Sequence, residues 1–212
     1  MRILITAGPT REPIDPVRYL TNHSSGKMGY ATAESAINRG HQVILISGPV
    51  NLKAPKNCEL IQVQTAAEMY MQVELKSKDC DAAIMVAAVA DYTPAEYSEK
   101  KIKKTKNKEL TLVRTKDILG SMRGGFEFNG ILVGFAADTD ELRESATRKM
   151  KEKGCNFIVA NDISRADIGF GSDQNEVIIF DTEGRQELVK KSSKQLIGEV
   201  IIEKIEKINN KK

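Results

Sequence analysis

The 212-residue sequence predicts a three-layer, doubly wound α/β fold on a mostly parallel sheet, with a C-terminal antiparallel hairpin and a lysine-rich flap. Three observations carry this. Short apolar runs alternate with stretches of helical length and spacing, the order a parallel sheet requires. One run, Asp81–Val89, is almost unbroken small and branched apolar residue, as expected of a strand covered on both faces. Near the C-terminus, the turn Asp181–Gly184 separates two β-type segments, which is a hairpin pattern.

Taken in order, Arg2–Thr6 is short, apolar and closed by Gly8 and Pro9, so it reads as a buried strand. A polar loop then leads to Asn22–Gly29 and a helix over Met28–Arg39, which stops at Gly40. His41–Ile46 and Glu59–Val63 are the next strands. Thr65 and Glu68 stand in the capping-box spacing and open a helix to about Lys76. After Asp81–Val89 the periodicity fails, and Asp91–Lys108 reads as a flexible flap crowded with lysine. Leu110–Arg114 resumes as strand and Asp117–Met122 as a short helix. Ile131–Ala137 is another buried strand, followed by an amphipathic helix over Thr139–Lys153 and a strand over Phe157–Ala160. The hairpin pairs Val177–Phe180 with Gln186–Val189, and the last helix starts near Ser192. No internal repeat interrupts this order. The expectation is one Rossmann-like domain over residues 1–212, with ligands beyond the carboxyl ends of the strands. Ala7–Gly29, Ala90–Lys108, Ala136–Thr139 and Asn161–Gln174 occupy that edge.

Composition narrows the function. At 41% hydrophobic and 29% charged residues, the chain has the balance of a soluble globular protein. No apolar run reaches the roughly 18 residues of a membrane span, and the N-terminus enters a strand without a signal-peptide pattern. The expected location is cytoplasmic, with no membrane partner. Cys58, Cys80 and Cys155 are odd in number and lack metal spacing, which fits reduced structural thiols. With only His23 and His41, a histidine metal centre is not expected. The net charge of +3 is mild and unevenly spread, concentrating in Lys100–Lys108.

Several constellations stand out. The helix start Asn22-His-Ser-Ser-Gly-Lys-Met-Gly29 offers free N–H groups suited to an anion, phosphate above all. Ser24 or Ser25 as a simple N-cap accounts for one serine but not for the group. Gly8-Pro9-Thr10 lacks the glycines of a dinucleotide fingerprint, which argues against a plain NAD site. The lysine cluster is equally a solvated loop or a flap that lowers onto phosphates. As a nucleic-acid patch it would want interleaved aromatics, and these are 5% of the chain, so nucleic acid is not an expected partner. Ala87–Ala90 leaves room for a ligand against the backbone, with Asp91 available to bind it; tight packing is the other reading. Lys149 and Lys153 share a helical face, as ordinary exposed lysines also do.

Together these stretches resemble the phosphopantothenate–cysteine ligases, also called phosphopantothenoylcysteine synthetases. The resemblance lies in an ordered set: ITAGPTREPIDPVRYLTNHSSGKMG (5–29), AAVADY (87–92), KIKK (101–104), GFAADT (134–139) and KMKEKGCNFIVAND (149–162). It implies that 4′-phosphopantothenate is joined to L-cysteine in coenzyme A biosynthesis. The bacterial form uses CTP as co-substrate with Mg2+, through an acyl-cytidylate, and the family suggests a homodimer. The resemblance further implies a free-standing ligase, with the flavin-dependent decarboxylase that acts next made as a separate protein. Carried over by position, Asn22 and Lys101 are the catalytic candidates. Met85, Val86, Ala87, Asp91, Lys101, Lys116, Asp117, Ile118, Leu119, Phe135, Lys149 and Lys153 become nucleotide-binding. Asn22, Ser24, Ser25, Gly26, Ala88 and Ala90 become substrate-binding, and no protein metal ligand is implied. Pro9 departs from the two glycines many relatives carry here, and it removes an N–H. An NAD(P)-dependent reductase is the competing enzyme reading, and a nucleic-acid module on the lysine cluster is a third.

Overall fold

The computed structural model describes residues 1–104, 107–138, 142–162 and 172–211. Along them run β1 (Arg2–Ala7), β2 (Arg11–Pro13), β3 (Tyr19–Thr21), α1 (Lys27–Asn38), β4 (Gln42–Ser47), β5 (Cys58–Gln62), α2 (Ala66–Ser77) and β6 (Ala82–Met85). Then follow β7 (Tyr92–Pro94), β8 (Leu112–Arg114), α3 (Ile118–Gly124), β9 (Ile131–Asp138), α4 (Leu142–Lys153), β10 (Phe157–Asp162), β11 (Gln174–Asp181), β12 (Gln186–Ser193) and α5 (Lys194–Asn209).

Eight strands form one sheet in the order β12-β11-β10-β9-β6-β1-β4-β5. The six from β10 to β5 are parallel, and the β11–β12 hairpin is added antiparallel beside β10. The chain steps outward from β1 through β4 to β5, then returns to the other side of β1 and continues through β6, β9 and β10. The direction of winding therefore reverses between β1 and β6. At such a reversal the connections leave in opposite directions and open a crevice at the carboxyl ends of the strands.

Side-chain alternation along each strand assembles the layers. Ile3, Ile5, Val43, Leu45, Ile84, Val133 and Val159 pack with α1 and α5, while Leu4, Ile44, Ile46, Ala83, Leu132 and Ile158 pack with α2, α3 and α4. Burying one isoleucine such as Ile201, fully enclosed on α5, contributes about 1.5–3 kcal/mol. Close approach sets where α1 begins. A Cβ on Gly29 would stand 2.6 Å from the Cβ of Ala7, so only glycine lets α1 start directly against β1.

Helix ends follow local chemistry. The capping box is present, with Glu68 N donating to Thr65 Oγ1 at 3.2 Å and Thr65 N to Glu68 Oε2 at 3.4 Å. Buried Glu12 accepts from Ala66 N at 2.8 Å, fastening the β2–β3 ribbon to the same helix start. That ribbon was not expected from the sequence; its six residues give no periodic signal. The last helix is capped by Ser193, one residue after the expected start.

Three expectations need correction. The run Asp81–Val89 is not one strand: β6 ends at Met85, where the Thr6 hydroxyl accepts from Val86 N and Ala87 N at 3.1 and 3.2 Å. These bonds replace the strand ladder and bend the chain out of the sheet. The N-cap of α1 is neither serine but Gly26, in the left-handed region at φ 75° and with no side-chain cap. The segment expected as a flexible flap has a built base, β7 pairing with β8. It also crosses the Ile14–Arg18 turn, through Ser98 N to Ile14 O at 3.0 Å and Ile102 N to Asp15 Oδ2 at 3.1 Å. Residues 105–106 of this arm and the expected helix start at 139–141 lie outside the described residues. So does most of Asn161–Gln174.

Candidate active site at the switch point

Two cavities open where β1 and β6 part. The larger, about 590 Å3, lies on the α2–α3–α4 side. Of the residues carried over as nucleotide-binding, Met85, Ala87, Asp91, Lys116, Asp117, Ile118, Leu119, Phe135, Lys149 and Lys153 line it, together with Thr6 and Arg114. Its four basic side chains outnumber the two carboxylates, so the cavity favours a polyanion. Each lysine has a protein partner. Lys149 Nζ donates to Phe135 O at 2.8 Å, Lys153 to Asp117 Oδ2, and Lys116 lies 4.7 Å over the Tyr70 ring. Lys149 is not an ordinary exposed lysine: burial lowers its pKa. For Asp117, burial raises the carboxyl, but Lys153 and the Gly120 N–H outweigh it and hold the group below its usual range. The same carboxylate caps α3 through Gly120 N at 2.8 Å. The Asp91 side chain makes no hydrogen bond or ion pair among the described residues and faces the cavity.

The smaller cavity, about 140 Å3, lies on the α1–α5 side. Ser24, Ser25 and Gly26 line it at the uncapped start of α1, with Val86, Ala87 and Ala88 opposite. Without a side-chain cap, the first-turn N–H groups of α1 remain available to an anion. Val86, carried over as nucleotide-binding, lines only this smaller cavity.

Ala87, Ala88 and Phe135 border both cavities, so the two share a wall. That wall is rigidly tethered. Ala88 N donates to Gly8 O at 2.9 Å, and Ala90 N to Thr10 Oγ1 at 3.0 Å. Thr115 Oγ1 donates to Ala90 O at 2.6 Å. Asn22 Nδ2 donates to both Ala88 O and Val89 O at 3.1 Å. Ala90 is itself buried and lines neither cavity. Pro9 keeps the strand-like pairing with Ala88 through an isolated bridge that needs no N–H from proline.

Lys101 is exposed and lines neither cavity. The arm that bears it is anchored next door, where Arg18 donates to Ile102 O at 3.0 Å and pairs with buried Asp15. Sequence reasoning missed Thr6, Arg114, Asn161, Asn175 and Lys194. For Thr6 the signal was a hydroxyl closing an apolar strand; for Lys194, a lysine just inside a serine-capped helix. Among the described residues no three His, Cys, Asp or Glu cluster as a metal site, and no helix is long and apolar enough to cross a membrane.

Residues 1–208 match the family described as the DNA/pantothenate metabolism flavoprotein C-terminal domain. The chain belongs to this family. It is 45% identical over 202 residues to the coenzyme A biosynthesis bifunctional protein CoaBC of Vibrio vulnificus, covering 94% of this chain and 50% of that protein. It is 46% identical over 205 residues to the CoaBC protein of Bacillus subtilis, covering 96% and 50%. The chain thus spans about half the length of the curated relatives it matches. A crystal structure of the C-terminal domain of CoaBC superposes with a TM-score of 0.86 at 40% identity, covering all of this chain and 96% of that one. The family likeness extends over both cavities and the whole sheet, in agreement with the Rossmann-like reading.

Proposed function

We propose that this chain is a phosphopantothenate–cysteine ligase of coenzyme A biosynthesis, one domain using CTP and Mg2+. The observation that carries the reading is the shared wall: a cationic cavity sized for a nucleotide meets an anion-accepting one across Ala87, Ala88 and Phe135. A phosphopantothenate anchored at the smaller cavity and extending beyond it presents its carboxylate at that wall to the α-phosphate of a nucleotide in the larger.

In the first half-reaction a carboxylate oxygen bonds to the α-phosphorus, the α–β phosphoanhydride bond breaks, and pyrophosphate leaves. Two anions must approach, and Arg114, Lys116, Lys149 and Lys153 offset their repulsion; Lys101 joins them when the arm closes. In the second, the cysteine amine attacks the acyl carbon, loses a proton, and CMP departs with the bonding pair. Asn22 exchanges one of its two carbonyl partners for the acyl oxygen as negative charge grows there. No side-chain nucleophile is needed, since the covalent intermediate joins the two substrates.

Asp91 fits Mg2+, because it is an unengaged carboxylate facing the proposed nucleotide cavity, and this ion takes one or two protein carboxylates beside substrate phosphates. When bound, the ion would be held by Asp91 and would offset negative charge on the leaving pyrophosphate. The homodimer reading is supported by exposed apolar side chains on the two ribbons, Val17 and Tyr19 on one and Tyr92, Leu112 and Val113 on the other.

Pyrophosphate release from CTP should depend on 4′-phosphopantothenate, and CMP should appear once cysteine is added. Turnover indifferent to phosphopantothenate, or stabilisation by NADPH rather than by CTP, would overturn the assignment. Light scattering on the active protein should give twice the chain mass.

A further inference from the structure

The three lysines of the larger cavity are held in three different ways. A carbonyl, Phe135 O, accepts from Lys149, and a carboxylate, that of Asp117, accepts from Lys153 and neutralises it. Lys116 is held by neither. It is exposed, and among the described residues its ammonium makes no hydrogen bond or ion pair; it lies instead 4.7 Å from the centroid of the Tyr70 ring. The backbone on each side of Lys116 is fixed, since Thr115 N donates to Asp91 O at 3.0 Å and Asp117 caps α3. The side chain is what remains free, and a long lysine has many rotamers to lose before its ammonium meets a ligand in one place.

The geometry of Tyr70 supplies a second observation. On α2, Ala66, Met69, Val73 and Ser77 form the buried stripe, and Tyr70 stands at its edge, partly buried against the same core. Its ring packs edge-to-face with Phe126, the centroids 4.8 Å apart and the planes at 72°. Phe126 is itself 4% exposed, and its backbone N–H bonds to Ser121 O at 2.8 Å, so it holds the plane of the tyrosine ring. The Tyr70 hydroxyl makes no hydrogen bond among the described residues, which leaves the ring as the working part. Tyr70 does not line the cavity, so whatever it does there passes through Lys116.

We infer that Tyr70 is a positioning residue for the nucleotide: its ring, set by Phe126, aims the ammonium of Lys116 into the larger cavity. The inference rests on the ligase reading above. The face of an aromatic ring is negative without carrying a net charge, so it attracts a cation and orients it. A carboxylate in the same place would orient Lys116 too, but would cancel the charge that the nucleotide phosphates need. The ring leaves that charge whole.

The test is calorimetric titration of CTP with Mg2+ into wild type, Tyr70→Leu, Tyr70→Phe, Lys116→Met and the double variant Tyr70→Leu/Lys116→Met. Each protein is checked for folding by circular dichroism. Tyr70→Leu should weaken CTP binding about 2- to 5-fold, the worth of such a contact at an exposed site, and Tyr70→Phe should recover it. In turnover the change should fall on KM for CTP and leave KM for phosphopantothenate within about twofold. In the Lys116→Met background, Tyr70→Leu should cost nothing further, because the ring then has no ammonium to hold. A merely structural tyrosine would weaken binding in both backgrounds, and that result would overturn the inference. Where Tyr70→Leu fails to fold, phenylalanines of increasing fluorine number at position 70 keep the ring and drain its negative face. Affinity should then fall stepwise with fluorination, and an affinity indifferent to it refutes the inference. If wild type binds CTP without phosphopantothenate-dependent turnover, the ligase reading is what has failed, and the binding titrations still decide the role of Tyr70. If wild type does not bind CTP, pyrophosphate is the probe; equal affinity in wild type and Tyr70→Leu, or no binding at all, refutes the role.

Discussion

Thr6→Val removes one oxygen from a buried position and keeps the shape of the side chain. Thr6 is 1% exposed and pairs with Met85 at the last shared register of β1 and β6. Its hydroxyl accepts from Val86 N and Ala87 N, the two bonds that turn the chain out of the sheet. Valine would present a methyl group to both N–H donors. A buried donor left unsatisfied costs about 1–3 kcal/mol. Val86 and Ala87 are partly exposed, so water can recover some of that, and a total of about 2–3 kcal/mol is expected. For a chain of this length each kcal/mol lowers Tm by roughly 2–4 °C, which gives a fall of about 5–10 °C. The consequence should reach function, because Ala87 belongs to the wall between the cavities. CTP-dependent turnover should decline more than stability alone requires, and Thr6→Ser should restore both. Differential scanning calorimetry and steady-state kinetics on the three proteins measure this. An unchanged Tm together with unchanged turnover in Thr6→Val would refute the claim that this hydroxyl holds the wall.

Three further outcomes are expected. Lys101→Gln should form little acyl-cytidylate, losing on the order of 3 kcal/mol or roughly a hundredfold in the first half-reaction. Asn22→Asp should still consume CTP but accumulate the intermediate for trapping by mass spectrometry; the reverse pattern would mean the two roles are exchanged. Asp15 bears on pH dependence. Arg18 holds its carboxyl well below the ordinary value of 3.8, against the opposing effect of burial. A depressed folded-state pKa stabilises above the unfolded value and is lost as pH falls below it. Asp15→Asn should therefore lower Tm most at pH 5–7, with the difference narrowing steadily below about pH 4; a difference independent of pH would show that the ion pair contributes nothing.

The parallel strands and their helices were legible because burial on both faces leaves apolar runs bounded by glycine, proline and caps. Thr65 with Glu68 is an example in which local chemistry fixed a helix start to the residue. The Asp81–Val89 run misled for a physical reason: Val86–Val89 are as apolar as Ala82–Met85, and only a hydroxyl from a distant strand, Thr6, separates them. The two ribbons were illegible or half legible, because three-residue strands owe their existence to distant partners, such as Ala66 of α2 for Glu12 and Ile102 for Asp15. At the site, most cavity residues in or beside the quoted motifs were found by likeness, though Thr6 and Asn161 within them were not, and Lys194 lies outside all of them. Its unusual character depends on its being buried and near Lys27, which no spacing in the sequence expresses.

If the proposed ligase function holds, the composition of the shared wall accounts for acyl activation by a chain with two histidines and no exposed thiol. For two bound substrates to react, their atoms must come to near contact, and every side chain between them adds distance. Ala87 and Ala88 add least, so the barrier between the cavities is little more than backbone. Small residues alone would leave that backbone loose, and misplacement by 1 Å can cost about a hundredfold in rate. Thr6, Thr10, Asn22 and Thr115 remove the looseness by bonding its amides and carbonyls from four directions. None of the four is charged, so they fix the wall without adding to the charge that the surrounding lysines must balance. On this view Asn22 has a holding role before any role toward the acyl group. Asn22→Asp would then also loosen the wall, since a carboxylate facing the carbonyls of Ala88 and Val89 repels where the amide attracts.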